Sequence, residues 1–240
     1  MKDDRMAMFA EDSFVPLDHV TLRLAEGPHP WQLAERDAVE ALWARERVER
    51  PFLYNGTVIM HRGLAMQGGG ITGISHAVPY AVLLHWLEAQ PAEADIWHLF
   101  GSPVIVSSDQ ALVLIRMAQR TAGAGRIVSP GGSLDLADIR DGVCDVEGNM
   151  AREMAEETGL DLAHARAEPQ LTGWRRGHRV TVFRRYHFDR TAAEIAAAIE
   201  AHIASEAEPE ADAAVVFRNA GQITGAVPAH MRAMIRFQFR

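Results

Sequence analysis

Between Ala151 and Leu160 the chain reads AREMAEETGL, which gathers Glu153, Glu156 and Glu157 just before Gly159. A helical period of about 3.6 residues puts Val146, Met150 and Met154 on one apolar stripe. Glu153 and Glu157 then share the neighbouring face, and Glu156 reaches the same side through its flexible stem. Gly159 supplies a left-handed C-terminal cap, so Glu156 and Glu157 fall in the last turn. Anions are misplaced there. The carbonyl end of a helix is partially negative, and each carboxylate costs roughly 0.3 to 1 kcal/mol, with like-charge repulsion adding some tenths. Arg152, four residues before Glu156, offsets part of that cost. A divalent cation turns the liability into a site, because Mg2+ and Mn2+ prefer hard oxygen ligands.

A solvated acidic face is the ordinary reading of an isolated pair of glutamates. Here the neighbourhood argues otherwise. Upstream stands VSPGGSLD, in which Pro130, Gly131 and Gly132 predict a turn that glycines adopt cheaply, and Asp135 adds a carboxylate soon after it. A glycine-rich loop followed by a helix ending in R-E-x-x-E-E-x-G is far more specific than either part alone.

REMAEETGL resembles the second half of the Nudix box, G-x5-E-x7-R-E-U-x-E-E-x-G-U with U aliphatic, and PGG resembles its usual opening. The register departs from the pattern upstream. Counting back from Arg152, the first glutamate of the box falls at Cys144 and its first glycine at Asp138. An insertion of six residues, roughly LADIRD, repairs the register and leaves Asp135 where an acidic residue often follows the two glycines. The resemblance implies a Nudix fold of the α/β class, with a mixed β-sheet sandwiched between α-helices (α/β/α) over residues 96–240. Residues 1–95 are then an N-terminal α+β extension.

The same resemblance implies a Mg2+ (or Mn2+) dependent hydrolase of nucleoside diphosphates linked to a group X. Glu153 and Glu157 are then the expected metal ligands, with Glu156 either a third ligand or a base for the attacking water. Arg152 braces the carboxylates through charge-assisted hydrogen bonds. Gly131 and Gly132 let backbone approach the site, and the Gly131 carbonyl is a further candidate ligand. A late acid often completes such sites, and SEAEPEAD offers Glu206, Glu208 and Glu210 without selecting among them.

Substrate class rests on weaker marks. ALWARERVERPFLYNG followed by GITGISHAVPYAVLLHWLE is similar to the leading segment of the UDP-sugar hydrolysing branch, although Arg50 stands where that branch has Asn before Pro51. Arg116, Arg120 and Arg126 precede the glycine loop, and arginine forks suit phosphates. With Gly132 and Asp135, Arg116 and Arg126 are the expected substrate contacts. Their spacing also resembles, one residue short, the arginine signature of Nudix coenzyme A pyrophosphatases, which gives the second substrate class. A ligand-binding sensor with a decayed box is the reading from a different class, favoured by the missing first glutamate and opposed by the intact R-E-x-x-E-E.

The elements that must position these groups follow from periodicity. HPWQLAERDAVEALWARERVER predicts a helix with Leu33, Val39, Leu42 and Trp43 on its apolar side, stopped at Pro51. Asn55-Gly56 predicts a turn into a strand, QGGGITGIS a connector, and VPYAVLLHWLEAQ a helix. DIWHLFGSPVIVSSDQALVLIRMAQR predicts a hairpin turning at Ser108-Asp109. HRVTVFRRYHF and AAVVF predict strands, while TAAEIAAAIEAHIASEAE and AHMRAMIRF predict helices.

Composition bounds the rest. A chain of 240 residues with 48% hydrophobic content can bury a substantial core, and its net charge of -8 argues against general affinity for nucleic acid. Cys144 is the one cysteine, which permits no internal disulfide and fits a reducing cytoplasm. No run approaches the roughly 20 apolar residues that span a membrane. The expected partners are a small nucleotide substrate and, since dimers are common in the family, a second copy of the chain.

Overall fold

A computed structural model describes residues 7–240. In chain order its strands and helices are β1 (Phe14–Leu17), β2 (Val20–Leu24), α1 (Pro30–Ala34), α2 (Arg36–Glu49), β3 (Thr57–Gln67), β4 (Gly70–Pro79), α3 (Tyr80–Ala89), β5 (His98–Val106), β6 (Leu112–Met117), β7 (Ile127–Val128), β8 (Ile139–Arg140), β9 (Val143–Cys144), α4 (Val146–Thr158), β10 (Ala165–Ala167), β11 (Leu171–Arg176), β12 (Arg179–Phe188), α5 (Ala192–Ser205), β13 (Ala211–Phe217) and α6 (Ala229–Gln238). The class is mixed α/β, with two sheets rather than the single one expected. No helix among the described residues is long and apolar enough to cross a membrane.

The chain divides into two compact units. One holds the residues up to Phe100 with Ser133–Val146 and Thr172–Val182; the other holds Gly101–Gly132, Glu147–Leu171 and Phe183–Arg240.

In the first unit a five-stranded sheet runs in the order β3-β4-β2-β9-β8. Its β2–β4 pair is parallel, from Val20 opposite Ile71 to Leu24 opposite Ser75, and its other pairs are antiparallel. The expected connector QGGGITGIS is therefore mostly strand. Only Gly68 and Gly69 turn, with φ of 55° and 80°, which suits a two-residue hairpin loop with positive φ at both positions. The segment expected as a loop insertion is structured: Leu136–Asp138 form a short 3-10 turn, and β8 and β9 close a small hairpin.

The helix expected from residue 29 onward is broken at Glu35 into α1 and α2, and Leu33 is 60% exposed instead of joining the apolar side. Val39 and Leu42 are buried as the spacing requires, with Val39 in a core cluster that includes Met60, Val82 and Trp86. Helix α3 begins after Pro79, which has no side-chain acceptor. Asn55 fills that role from a distance, its Oδ1 accepting the Ala81 N–H at 2.8 Å.

In the second unit β6 pairs antiparallel with β13, β7 and the end of β5, and β10 pairs with β12. Leu112–Ile115 are wholly buried, the continuous apolar run of a covered strand. Helix α5 lies against β13 and β6 through Ile195 and Ile199. Its start is fixed by a capping box, in which the Thr191 hydroxyl accepts the Glu194 N–H and the Glu194 carboxylate accepts the Thr191 N–H at 2.8 Å.

Candidate active site

Helix α4 turns its apolar stripe inward: Val146, Met150 and Met154 are at most 4% exposed. That burial sets the rotation of the helix and therefore the direction of the glutamates. Its first turn carries Glu147, the favourable sign for a helix N-terminus, and Arg184 on β12 pairs with that carboxylate. Its last turn carries the unfavourable sign. Gly159 ends it with φ of 68°, and the Gly159 N–H closes on the Ala155 carbonyl at 2.9 Å.

The glycine loop and the acidic helix meet at two points. The Gly131 N–H donates to Glu157 Oε2 at 2.8 Å. Gly132 stands so close to the Glu153 carboxylate that a β-carbon there would lie 2.5 Å from Oε1. Gly131, with φ of 151° and its missing β-carbon facing the Gly101 carbonyl at 2.9 Å, is constrained on the other side. Arg152 binds two of the acids: one guanidinium nitrogen lies 2.9 Å from Glu153 Oε1 and another 2.8 Å from Glu156 Oε2. The amide of Asn149 adds a long contact to Glu153 at 3.4 Å.

The three acids differ in exposure and hence in charge. The Glu156 side chain is 58% exposed, whereas Glu153 is 13% exposed and residue Glu157 is 6% exposed. Burial pushes the Glu153 carboxyl up to about 7; Glu156 and Glu210 push it further up and Arg152 opposes. Burial also raises Glu157 well above the ordinary carboxylate range, Glu153 reinforces this, and the Gly131 N–H opposes it. Two buried carboxylates that repel each other and are made only of hard oxygen donors suit Mg2+ or Mn2+, whose charge reverses the penalty. As folded, Glu156 is drawn to Arg152, and among the described residues no three His, Cys, Asp or Glu side chains stand grouped tightly enough to enclose an ion.

A cleft of about 360 Å3 lies beside these acids, lined also by His202, Glu206, Glu208 and Glu210. Among the late acids only Glu210 contributes to the charge felt by both Glu153 and Glu157. His202 was not singled out by sequence reasoning. Its Nε2 lies 2.8 Å from the Glu156 carbonyl, and its ring sits where a side chain on Gly159 would be. An imidazole N–H there satisfies one of the orphan carbonyls of a helix end. Its sequence carries no signal for this, because the partner lies 46 residues away.

Arg116 pairs with Asp212 at 2.5 Å. Arg126 is exposed in the turn before β7, where its N–H binds the Gly123 carbonyl and its own carbonyl accepts from Met117. Asp135 caps the 3-10 turn, accepting the Ala137 N–H at 2.6 Å. Cys144, where the resemblance would have put a first glutamate, is buried on β9 with its sulfur 3.4 Å from the Ser75 hydroxyl.

No family model matches the chain, and no curated protein matches it. Solved structures do. A MutT protein from Methanosarcina mazei Go1 aligns at 15% identity and a TM-score of 0.37, covering 59% of this chain and 92% of that one. NrtR of Shewanella oneidensis aligns at 18% identity and a TM-score of 0.38, covering 59% of this chain and 61% of its own, so this chain spans about three-fifths of its length. The protein DR0079 of Deinococcus radiodurans aligns at 13% identity and a TM-score of 0.44, covering 75% and 99%. The NUDIX domain of Shewanella oneidensis NrtR, in a complex with ADP ribose, aligns at 14% identity and a TM-score of 0.34, covering 56% of this chain and 81% of that one.

Proposed function

We propose that the chain is a divalent-metal-dependent Nudix pyrophosphohydrolase, with residues 96–240 as its catalytic domain and residues 1–95 as an extension. It cleaves the diphosphate of a nucleoside diphosphate linked to X, giving a nucleoside monophosphate and phosphorylated X. The observation that carries this reading is the joining of the P-G-G loop to the R-E-x-x-E-E helix through Gly131 and Glu157, at 2.8 Å. A decayed site has no reason to keep buried anions at a helix end that repels them.

Glu153 and Glu157 are the residues proposed to hold Mg2+ or Mn2+, with the Gly131 carbonyl and Glu156 as further donors. When bound, the dication neutralises diphosphate oxygens and acidifies water. Arg152 orients Glu153 and Glu156. Glu156, the exposed member, is the proposed acceptor of a proton from an attacking water. Glu210 is the late acid nearest in its electrostatic effect. A nucleotide sugar such as UDP-glucose is the proposed substrate, supported by the W, N-G and Y-A-V-L-L marks of the extension; coenzyme A is the second class.

Incubation with Mg2+ and, in turn, UDP-glucose, other nucleotide sugars, coenzyme A, ADP-ribose and NADH tests this by release of nucleoside monophosphate, or of adenosine 3′,5′-bisphosphate from coenzyme A. Release from one of them that disappears in Glu157→Gln supports the reading. Tight binding without turnover under either Mg2+ or Mn2+ overturns it in favour of a sensor.

A further inference from the structure

The first unit carries a second concavity, a cleft of about 410 Å3 along α2, within the size range of small-molecule sites. Leu33, Trp43 and Ala44 contribute to its apolar wall. Leu33 is 60% exposed and so open to a ligand. Two polar features accompany the wall. The side-chain oxygen of Gln32 is buried and has no hydrogen-bond partner, a state that costs free energy unless something fills the gap. Arg36 and Arg47 stand at the margin; Arg36 faces Glu40 at 3.5 Å, whereas Arg47 makes no ion pair among the described residues.

An apolar aromatic wall, an unmet acceptor and an unneutralised guanidinium specify complementary chemistry in one ligand. We propose that this cleft binds a small aromatic anion that carries an N–H or O–H donor. The ring lies against Leu33, Trp43 and Ala44, the donor meets Gln32, and the anionic group faces Arg47. Water alone meets Gln32 but leaves the apolar wall uncovered. A neutral hydrocarbon covers the wall and leaves Gln32 and Arg47 unmet. The proposal is independent of the hydrolase reading, since it uses none of the acidic residues of α4.

Anilinonaphthalene sulfonate has the three required parts and serves as the probe. Its fluorescence in the presence of the full chain is expected to rise and saturate at one molecule per chain. Neutral phenylnaphthylamine is expected to bind at least about tenfold more weakly. Ala44 and Arg47 are exposed on α2 and line the cleft, so substitutions there leave the core intact. Ala44→Trp fills the space and is expected to abolish saturable binding, and Arg47→Glu to weaken it about tenfold. Amide resonances of Gln32 and Trp43 are expected to shift on titration. Binding that never saturates, that is unchanged in Ala44→Trp, or that leaves those two resonances fixed overturns the proposal.

Discussion

Gly131 donates its N–H to the carboxylate of Glu157 at 2.8 Å, and this bond ties the turn before the box loop to the last turn of α4. It holds in place an acid that burial and Glu153 both drive toward its neutral form. The loop thus supplies a fixed partial positive charge exactly where the helix end supplies none, short of a metal ion.

Replacement of Glu157 by Gln removes the charge while keeping the shape and the bond from Gly131. Hydrolysis is expected to fall by about two orders of magnitude or more, with the circular dichroism spectrum unchanged. Steady-state rates with saturating Mg2+ are the measurement, and a variant retaining most of its activity removes Glu157 from the reaction.

Glu153→Gln separates stability from function. The folded carboxyl is raised to about 7 from 4.5, so its favourable contribution is complete below pH 4.5 and is lost as pH rises through 7. At pH 8 without metal the variant is therefore expected to be more stable than the parent, by about 1 to 3 kcal/mol in urea denaturation. Added Mg2+ should stabilise the parent more than the variant, which keeps Glu157 but has lost one carboxylate donor. A variant less stable than the parent under these conditions contradicts the origin assigned to the shift.

Gly132→Ala places a β-carbon within 2.5 Å of Glu153 Oε1, the far end of a flexible side chain that can swing aside. The expected cost in stability is under about 1 kcal/mol, with a loss of activity of tenfold or more because Glu153 leaves its position. Equal activity in variant and parent would show that this approach has no part in the chemistry.

Acid stability is expected to depend on two imidazoles of the first unit, His29 and His61. Burial lowers His61 to about 3 and His29 to about 4, and each also feels His76. The unfolded chain binds protons at these positions near 6.5 and the folded one does not, so stability is full above pH 6.5 and is lost as pH falls toward 4 and then 3. The raised Glu153 and Glu157 act in the opposite sense above pH 4.5. His61 Nδ1 lies 3.0 Å from the Ser75 hydroxyl, and His61→Gln is expected to flatten the acid side of the urea stability profile. A profile unchanged in slope between pH 6.5 and 4 rejects this assignment.

His202→Ala removes the donor to the Glu156 carbonyl. A loss of about 1 kcal/mol in urea denaturation is expected, from one hydrogen bond at a helix terminus. Wild-type stability in this variant would mean that water replaces the imidazole without cost.

Local periodicity carried the elements whose information is local. The spacing of Val146, Met150 and Met154 predicted the buried face of α4, and Gly159 its end, because a helix repeats every few residues and its cap is a conformational property of one position. The hairpin of β5 and β6 and the helices α3, α5 and α6 were legible for the same reason. Strands β1, β2, β10 and β11 were not, since short strands are selected by the partners they pair with.

What the amino-acid sequence determined by itself is a set of carboxylates on one helix, ended by one glycine and preceded by a glycine turn. Only the tertiary structure decided which of those acids is buried, that Gly131 rather than a side chain meets Glu157, and that His202 closes the helix end. It also paired Ile139–Arg140 with Val143–Cys144 in a hairpin and engaged Asp135 in a cap. Those outcomes join residues far apart in the chain, and the free energies that select them, desolvation above all, exist only once the surrounding elements have packed.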